Sequence, residues 1–308
     1  MKILIIGFGS IGKRHYSNLI SLGYKDITVF APRKKVFDGF NEVVKIEKLS
    51  AGLIKNFDAA FICSPNNLHI EHALICAKAG LHLFIEKPLS HKLRSINSLE
   101  RICKKKKLIT IVGCNMRFHP CLEFIKKYMD NKKLGKIYSI RHELGYYLPY
   151  WRPAQDYRKN YAAKRSTGGG IILDDAHEYD LLFWLNNIDR VMDSKIIFNR
   201  ASDLKIETED QAAAVFLFKN KVLGMVISDY LQQYYARKCK VVGEKGALEW
   251  DFKENRVLLK TKDKIKKLFE VKNFDFNQTY IKEIKYFLNC GRKIKKTFNE
   301  VGVAKKIL

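Results

Sequence analysis

Residues 2–12 read Lys2-Ile3-Leu4-Ile5-Ile6-Gly7-Phe8-Gly9-Ser10-Ile11-Gly12. An apolar run of strand length ends in a G-x-G-x-x-G pattern, and a helical stretch follows from about Ile11 to Leu22. Each glycine has its own task in such a turn. Gly7 permits the tight turn, Gly9 lets the backbone approach a pyrophosphate, and Gly12 allows close helix–strand packing. The positive end of the helix then faces the phosphates. The pattern alone describes any glycine-rich turn. A strand before it and a helix after it make it a dinucleotide site, with Gly7, Phe8, Gly9, Ser10, Ile11 and Gly12 as contacts.

Beyond this unit the chain keeps alternating. Strand-like runs at Asp26–Phe30, Ala59–Ser64, Leu81–Ile85 and Leu108–Gly113 flank helical stretches at Ile70–Ala79 and Ser95–Lys106. That order predicts a parallel sheet with right-handed crossovers over residues 1–120. The pattern changes after Pro120. A helix is predicted over Cys121–Asp130, a strand over Ile137–Leu144, and an irregular aromatic and basic stretch over Tyr146–Gly170. A helix over Asp174–Leu185 precedes strands at Lys195–Asn199, Ala212–Phe218, Val222–Asp229, Lys238–Val242, Ala247–Phe252 and Val257–Lys260, and a last helix spans about Tyr280–Leu288. Short strands joined by tight turns imply an antiparallel sheet. The expected organisation is α/β: a nucleotide-binding domain over 1–120 and an α+β domain over 121–308. The 308 residues suit two domains at roughly 150 each.

Composition narrows the function class. Formal net charge is +25, which on its own points to nucleic acid or an anionic membrane surface. Of the 57 basic side chains only 14 are Arg, the residue suited to bidentate phosphate recognition. The lysines cluster at Lys104–Lys107, Lys126-Lys127, Lys132-Lys133, Lys262–Lys267, Lys293–Lys296 and Lys305-Lys306, away from the motifs, and read as solvated faces. No helix-turn-helix, zinc or RNA-binding signature accompanies them. No apolar run reaches the roughly 18 residues of a membrane span. The seven cysteines contain no CxxC pair, so a reducing cytoplasm is expected, with neither a disulfide framework nor a zinc site.

Further motifs sit where a parallel sheet presents its carboxyl ends. After the second strand the chain reads Phe30-Ala31-Pro32-Arg33-Lys34, with no acidic residue for a ribose 2′-hydroxyl, so Arg33 favours a 2′-phosphate and NADP(H) over NAD. Ser64, Pro65, Asn66 and His69 follow the third strand and face the cofactor crevice. Glu86-Lys87-Pro88 follows the fourth, and Lys87 there can donate or accept a proton near a nicotinamide. Gly168–Gly170 leads into Asp174 and His177, three residues apart and hence on one face of a helix. A carboxylate beside an imidazole suits a His that shuttles a hydroxyl proton. Trp151, Arg152, Tyr157, Arg158 and Tyr161 combine faces that stack on sugar rings with cations for a carboxylate or phosphate. His69-x-x-His72 has no third ligand nearby, so no metal is expected.

These motifs, with Gly113-Cys114-Asn115-Met116-Arg117-Phe118-His119-Pro120, occur in an order and spacing that resemble the Gfo/Idh/MocA family over residues 1 to about 290. The Trp151–Tyr161 loop is similar to a subgroup associated with bacterial surface-sugar biosynthesis. The resemblance implies an N-terminal Rossmann domain and a C-terminal domain with an open, mainly antiparallel sheet, through which homodimers or homotetramers form. It implies NAD(P)-dependent hydride transfer at a hydroxyl or carbonyl carbon of a sugar, sugar acid or nucleotide-sugar, an anionic one here. It assigns catalysis to Lys87 and His177. It adds Glu86, Lys87 and Asn115 to the cofactor contacts and Arg117 to the substrate contacts. Many members carry the Asp four residues before the His, where this chain has Leu173, so Asp174 stands one residue out of register. Two rival readings on the same fold are a catalytically inactive NAD(P)-binding regulator and an NAD-dependent glycosidase.

Overall fold

The structure is a computed structural model that describes residues 1–32, 37, 39–40 and 42–307. Arg33 and Lys34 lie outside the described residues. Two compact units are present, residues 1–115 with 277–308, and residues 116–276.

The first unit is built on a parallel sheet of β1 (Ile3–Ile6), β2 (Ile27–Phe30), β3 (Val44–Ile46), β4 (Ala59–Ile62), β5 (His82–Ile85) and β6 (Thr110–Val112), in the order β3-β2-β1-β4-β5-β6. Its helices α1 (Ser10–Ser21), α2 (His69–Ala79) and α3 (Ile96–Lys105) are the crossovers. β1 and β4 are buried at every position, as a sheet covered on both faces requires. Successive residues serve opposite faces. Leu4, Ile6, Ala60 and Ile62 pack with Ala73, Cys76 and Leu99 of α2 and α3, whereas Ile3, Ile5, Phe61 and Phe84 pack with Leu19 of α1.

The second unit opens with α4 (Pro120–Asp130), β7 (Ile137–Gly145) and the single turn α5 (Leu148–Trp151). α6 (Ile171–Asp174) and α7 (Ala176–Leu185) follow. β8 (Val191–Asn199), β9 (Gln211–Phe218), β10 (Leu223–Asp229), β11 (Ala236–Gly243), β12 (Gly246–Asp251), β13 (Arg256–Lys260) and β14 (Ile265–Glu270) complete the sheet. Its order is β14-β13-β12-β11-β7-β10-β9-β8. β7 and β10 pair in parallel and the other neighbours antiparallel. In β9, buried Ala212, Ala214, Phe216 and Phe218 alternate with exposed Ala213, Val215 and Leu217. One face is thus core and the other open, as an antiparallel sheet allows. The mixed α/β class with a parallel and a mainly antiparallel sheet matches the expectation.

The expected boundary differs from these units at the C-terminus. α8 (Asn277–Arg292) and α9 (Val301–Ala304) belong to the first unit, where the reading above assigned 121–308 to the second domain. Ile284, Phe287 and Leu288 cover the Phe61–Phe84 face of the parallel sheet. Asn299 brackets the edge strand: its side-chain amide donates to the Val112 carbonyl (2.9 Å) and its own carbonyl accepts from the Val112 N–H (2.9 Å). A parallel sheet needs both faces covered, and the C-terminal helix supplies the missing cover. Among the described residues no helix is long and apolar enough to cross a membrane.

Candidate active site

In the first unit, Gly7 has φ +93° and an added Cβ would stand 2.5 Å from the Cys63 carbonyl oxygen. At Gly12 it would stand 2.1 Å from the Gly7 carbonyl oxygen. Neither position admits a side chain. Gly9 caps the N-terminus of α1, and no atom lies within 4 Å of where its Cβ would be. Two glycines therefore close the turn, and the third leaves open backbone at a helix N-terminus, which fits a dinucleotide pyrophosphate. Ser10 is exposed beside it. The Phe8 side chain is core, stacked on Phe37 at 5.2 Å, so only its backbone remains for a ligand.

The turns after β4 and β5 are tied together. Buried His69 places Nε2 2.8 Å from the Ser64 carbonyl oxygen and Nδ1 2.7 Å from that of Pro88. Burial lowers the pKa of this imidazole, against the pull of the two carbonyls. His69, expected as a cofactor contact, clamps two backbone segments, with both ring nitrogens engaged there. The Ser64 hydroxyl meets His72 Nδ1 at 2.9 Å. The Glu86 carboxylate accepts from buried His15 of α1 at 2.6 Å, so it fixes the turn rather than projecting into it. Lys87, next in sequence, is half-buried and precedes a cis peptide bond to Pro88. The Asn115 amide donates to Thr279 of α8 at 2.7 Å, and the Cys114 N–H to Glu283 at 2.5 Å. Among the described residues no three His, Cys, Asp or Glu side chains are grouped so as to hold a metal ion.

In the second unit, Asp174 ends α6 and His177 is the second residue of α7, with Asp175 between the helices at φ −91°, ψ 20°. The single helix face expected for the pair is therefore interrupted. The Asp174 carboxylate accepts from three tyrosine hydroxyls: Tyr146 at 3.0 Å and Tyr230 at 3.1 Å on Oδ2, and Tyr161 on Oδ1. The triple glycine makes this possible. A Cβ at Gly169 would stand 2.3 Å from the Tyr161 carbonyl oxygen, and one at Gly170 2.2 Å from Glu209 Oε1.

α7 is held from behind by two buried arginines. Arg117, expected at the substrate, is 3% exposed, and its guanidinium fork meets Asp180 through two 2.6 Å hydrogen bonds. Burial with that bidentate pairing makes it a fastener of the helix that carries His177. Arg237 donates to Glu178, whose other oxygen meets His142 Nδ1 at 3.2 Å, and His142 Nε2 lies 3.6 Å from the Cys239 sulfur. Burial opposes charge on His142, yet Cys239 and Glu178 raise its pKa to about 10. Glu178 is also desolvated, but Arg237 and His142 hold its pKa below the usual value.

The aromatic loop divides. Trp151 is half-exposed, its ring 4.6 Å from Tyr146 and 5.9 Å from Tyr235, and Arg152 lies 5.9 Å from the Tyr161 ring. Arg158 is exposed and bonds its neighbour Asp156 at 2.8 and 2.9 Å, a local turn rather than a presented cation. The Tyr157 hydroxyl accepts from the Lys205 N–H at 3.2 Å. Sequence reasoning missed Tyr146 and Tyr230. Each stands one residue past a strand end, a position that could have flagged both.

Residues 1–114 match the model of an oxidoreductase family with an NAD-binding Rossmann fold, and residues 122–249 match the Gfo/Idh/MocA C-terminal domain. The chain belongs to the Gfo/Idh/MocA oxidoreductase family. It is 28% identical to myo-inositol 2-dehydrogenase of Thermotoga maritima over 303 residues, covering 94% of this chain and 87% of that one. It is 24% identical to the NAD(+) scyllo-inositol 2-dehydrogenase of Bacillus subtilis, covering 99% and 92%. The solved myo-inositol 2-dehydrogenase of Lactobacillus plantarum has the same fold, with a TM-score of 0.82 at 22% identity and coverage of 100% and 94%. This Gfo/Idh/MocA protein is thus an NAD-binding oxidoreductase of the dehydrogenase type.

Proposed function

We propose that the protein oxidises or reduces a ring carbon of a sugar-type substrate, a cyclic polyol, sugar acid or nucleotide-sugar. The observation that carries this is Lys87 and His177 standing at the motif positions of a dehydrogenase family, each on a segment fixed by buried hydrogen bonds. The glycine turn and the segments after β4 and β5 would hold the dinucleotide, which when bound accepts or supplies the hydride. His177 takes or returns the hydroxyl proton. Lys87 is a second proton donor or acceptor for the reaction and stabilises developing charge. Asp174 supports this proton transfer. Trp151 offers a ring face to the sugar and Arg152 a cation to an anionic group.

NADP(H) is the favoured cofactor because Arg33 follows β2 and no acidic residue precedes it there. The test is one experiment: NAD(+) and NADP(+) are each supplied with a panel of inositols, hexoses, sugar acids and nucleotide-sugars, and reduced-nicotinamide absorbance is followed. Growth of absorbance is expected, fastest with NADP(+) and an anionic sugar. Glycoside cleavage without net cofactor reduction would replace the dehydrogenase reading by the glycosidase one. Cofactor binding with no turnover of any member would favour the regulator.

The open face of the second sheet exposes Val215, Leu217 and Leu223. We propose that it pairs with a second copy, giving a dimer or tetramer. Sedimentation is expected to show that oligomer, and Leu217→Lys to shift it to monomer; a wild-type monomer would refute the assignment. The seven cysteines are buried and none is in a disulfide, which supports a cytoplasmic location.

A further inference from the structure

We infer that Tyr146, Tyr161 and Tyr230 are positioning residues that fix the Asp174 carboxylate for proton transfer. This rests on the role proposed above for Asp174.

Three features of the fold bring these phenols together. β7 and β10 run parallel, with Gly145 opposite Asp229, so the next residues, Tyr146 and Tyr230, emerge side by side at the same end of the sheet. Their rings lie 5.4 Å apart. Antiparallel pairing would have put them at opposite ends. Tyr161 comes from a short 3-10 turn in the aromatic loop, brought close by the bare backbone of Gly169.

The chemistry is one-directional. A carboxylate only accepts, so each phenol must donate its single hydrogen to Asp174. Burial, then the Asp174 charge, pushes all three phenols well above their usual pKa, so they remain donors throughout the working pH range. Tyr161 holds one oxygen while Tyr146 and Tyr230 hold the other. Donors on both oxygens define the plane of the carboxylate, and rotation would break at least one bond. Such second-layer hydrogen bonds orient a functional group without touching substrate.

Tyr→Phe removes only the hydroxyl and keeps the ring in its packing. Tyr146→Phe, Tyr161→Phe and Tyr230→Phe are made singly, then combined with Asp174→Asn, and assayed with the fastest substrate of the panel. Each single change is expected to lower kcat about tenfold, with KM and cofactor affinity within about twofold. In the Asp174→Asn background the same change should cause no further loss. Equal losses in both backgrounds would show that the tyrosines act independently of Asp174 and overturn the proposal. So would wild-type kcat in all three Phe variants while Asp174→Asn is slow. If Asp174→Asn itself turns over normally, the functional reading of Asp174 has failed instead. The cycle read in melting temperature needs no substrate: coupling between each phenol and Asp174 is expected, and strict additivity would overturn it.

Discussion

Replacing His177 by Ala, or Lys87 by Met, is expected to lower kcat by about two to four orders of magnitude while leaving cofactor affinity within about twofold. The size follows from general acid–base catalysis, which contributes roughly 10²–10⁴-fold from one positioned group. Retention of cofactor follows from where binding resides. The Gly7–Gly12 turn is shaped by backbone contacts among Gly7, Gly12 and Cys63, none of which involves Lys87 or His177. Local structure should survive both changes. Lys87 is flanked by two fixed groups: Glu86 is tied to His15, and the Pro88 carbonyl to His69. Met keeps the length of the Lys stem, so this substitution isolates the ammonium. His177 begins a helix fixed through Glu178 and Asp180, so removing its ring does not release that helix. Steady-state kinetics with parallel titration of reduced cofactor read the two quantities separately. Turnover near wild type in both variants would remove Lys87 and His177 from the chemistry. Loss of cofactor binding along with kcat would show, in His177→Ala, that the substitution had disturbed the fold, and in Lys87→Met, that Lys87 serves the cofactor more than the reacting oxygen.

The sequence carried the first unit well because its signals are local. Continuous Ile/Leu runs, glycines that admit no Cβ and a turn after each strand all lie within a few residues of what they specify. The strands of the second sheet were legible for the same reason, through alternation at Ala212–Phe218 and short turns. Three things escaped, most of them long-range effects. The C-terminal helix packs on a sheet formed more than 150 residues earlier, and amphipathicity does not say which sheet a helix covers. β14 reads Ile265-Lys266-Lys267-Leu268-Phe269-Glu270 and resembles a solvated lysine face, yet it is an edge strand, where lysines guard unpaired backbone against further pairing. Arg117 and Arg158 read as substrate cations in the sequence, which does not reveal their acidic partners: Asp180 is 63 residues from the first, and Asp156 two residues from the second. The Asp174–His177 pair was seen, but its geometry depends on the helix break at Asp175 and on tyrosines from three separate segments. Spacing alone does not contain that information.

Arg237→Ala is expected to destabilise the second unit by about 3–5 kcal/mol, since removing one partner leaves a buried charge uncompensated. For a unit of this size that lowers its melting temperature on the order of 10 °C. Arg237 is 6% exposed, and Glu178 and His142 are fully buried, so water cannot replace the lost partner. The direction with pH follows from the same network. His142 has a folded pKa of about 10 against an ordinary value of 6.5, so its contribution is complete below pH 6.5 and is lost as pH rises through about 10. Glu178 has a folded pKa below its ordinary 4.5, so its contribution is present above pH 4.5 and fades as pH falls through that lowered value. Both are at full strength only between about pH 4.5 and 6.5. Wild-type protein should therefore melt progressively earlier from pH 6.5 to 10. His142→Asn keeps a donor for Glu178 but does not titrate, so its melting curve should be flatter across that range. Parallel pH profiles in the two proteins would show that His142 carries no charge in the fold. A melting temperature unchanged in Arg237→Ala would show that water or a neighbouring cation already compensates Glu178, and that α7 needs no such anchor to present His177.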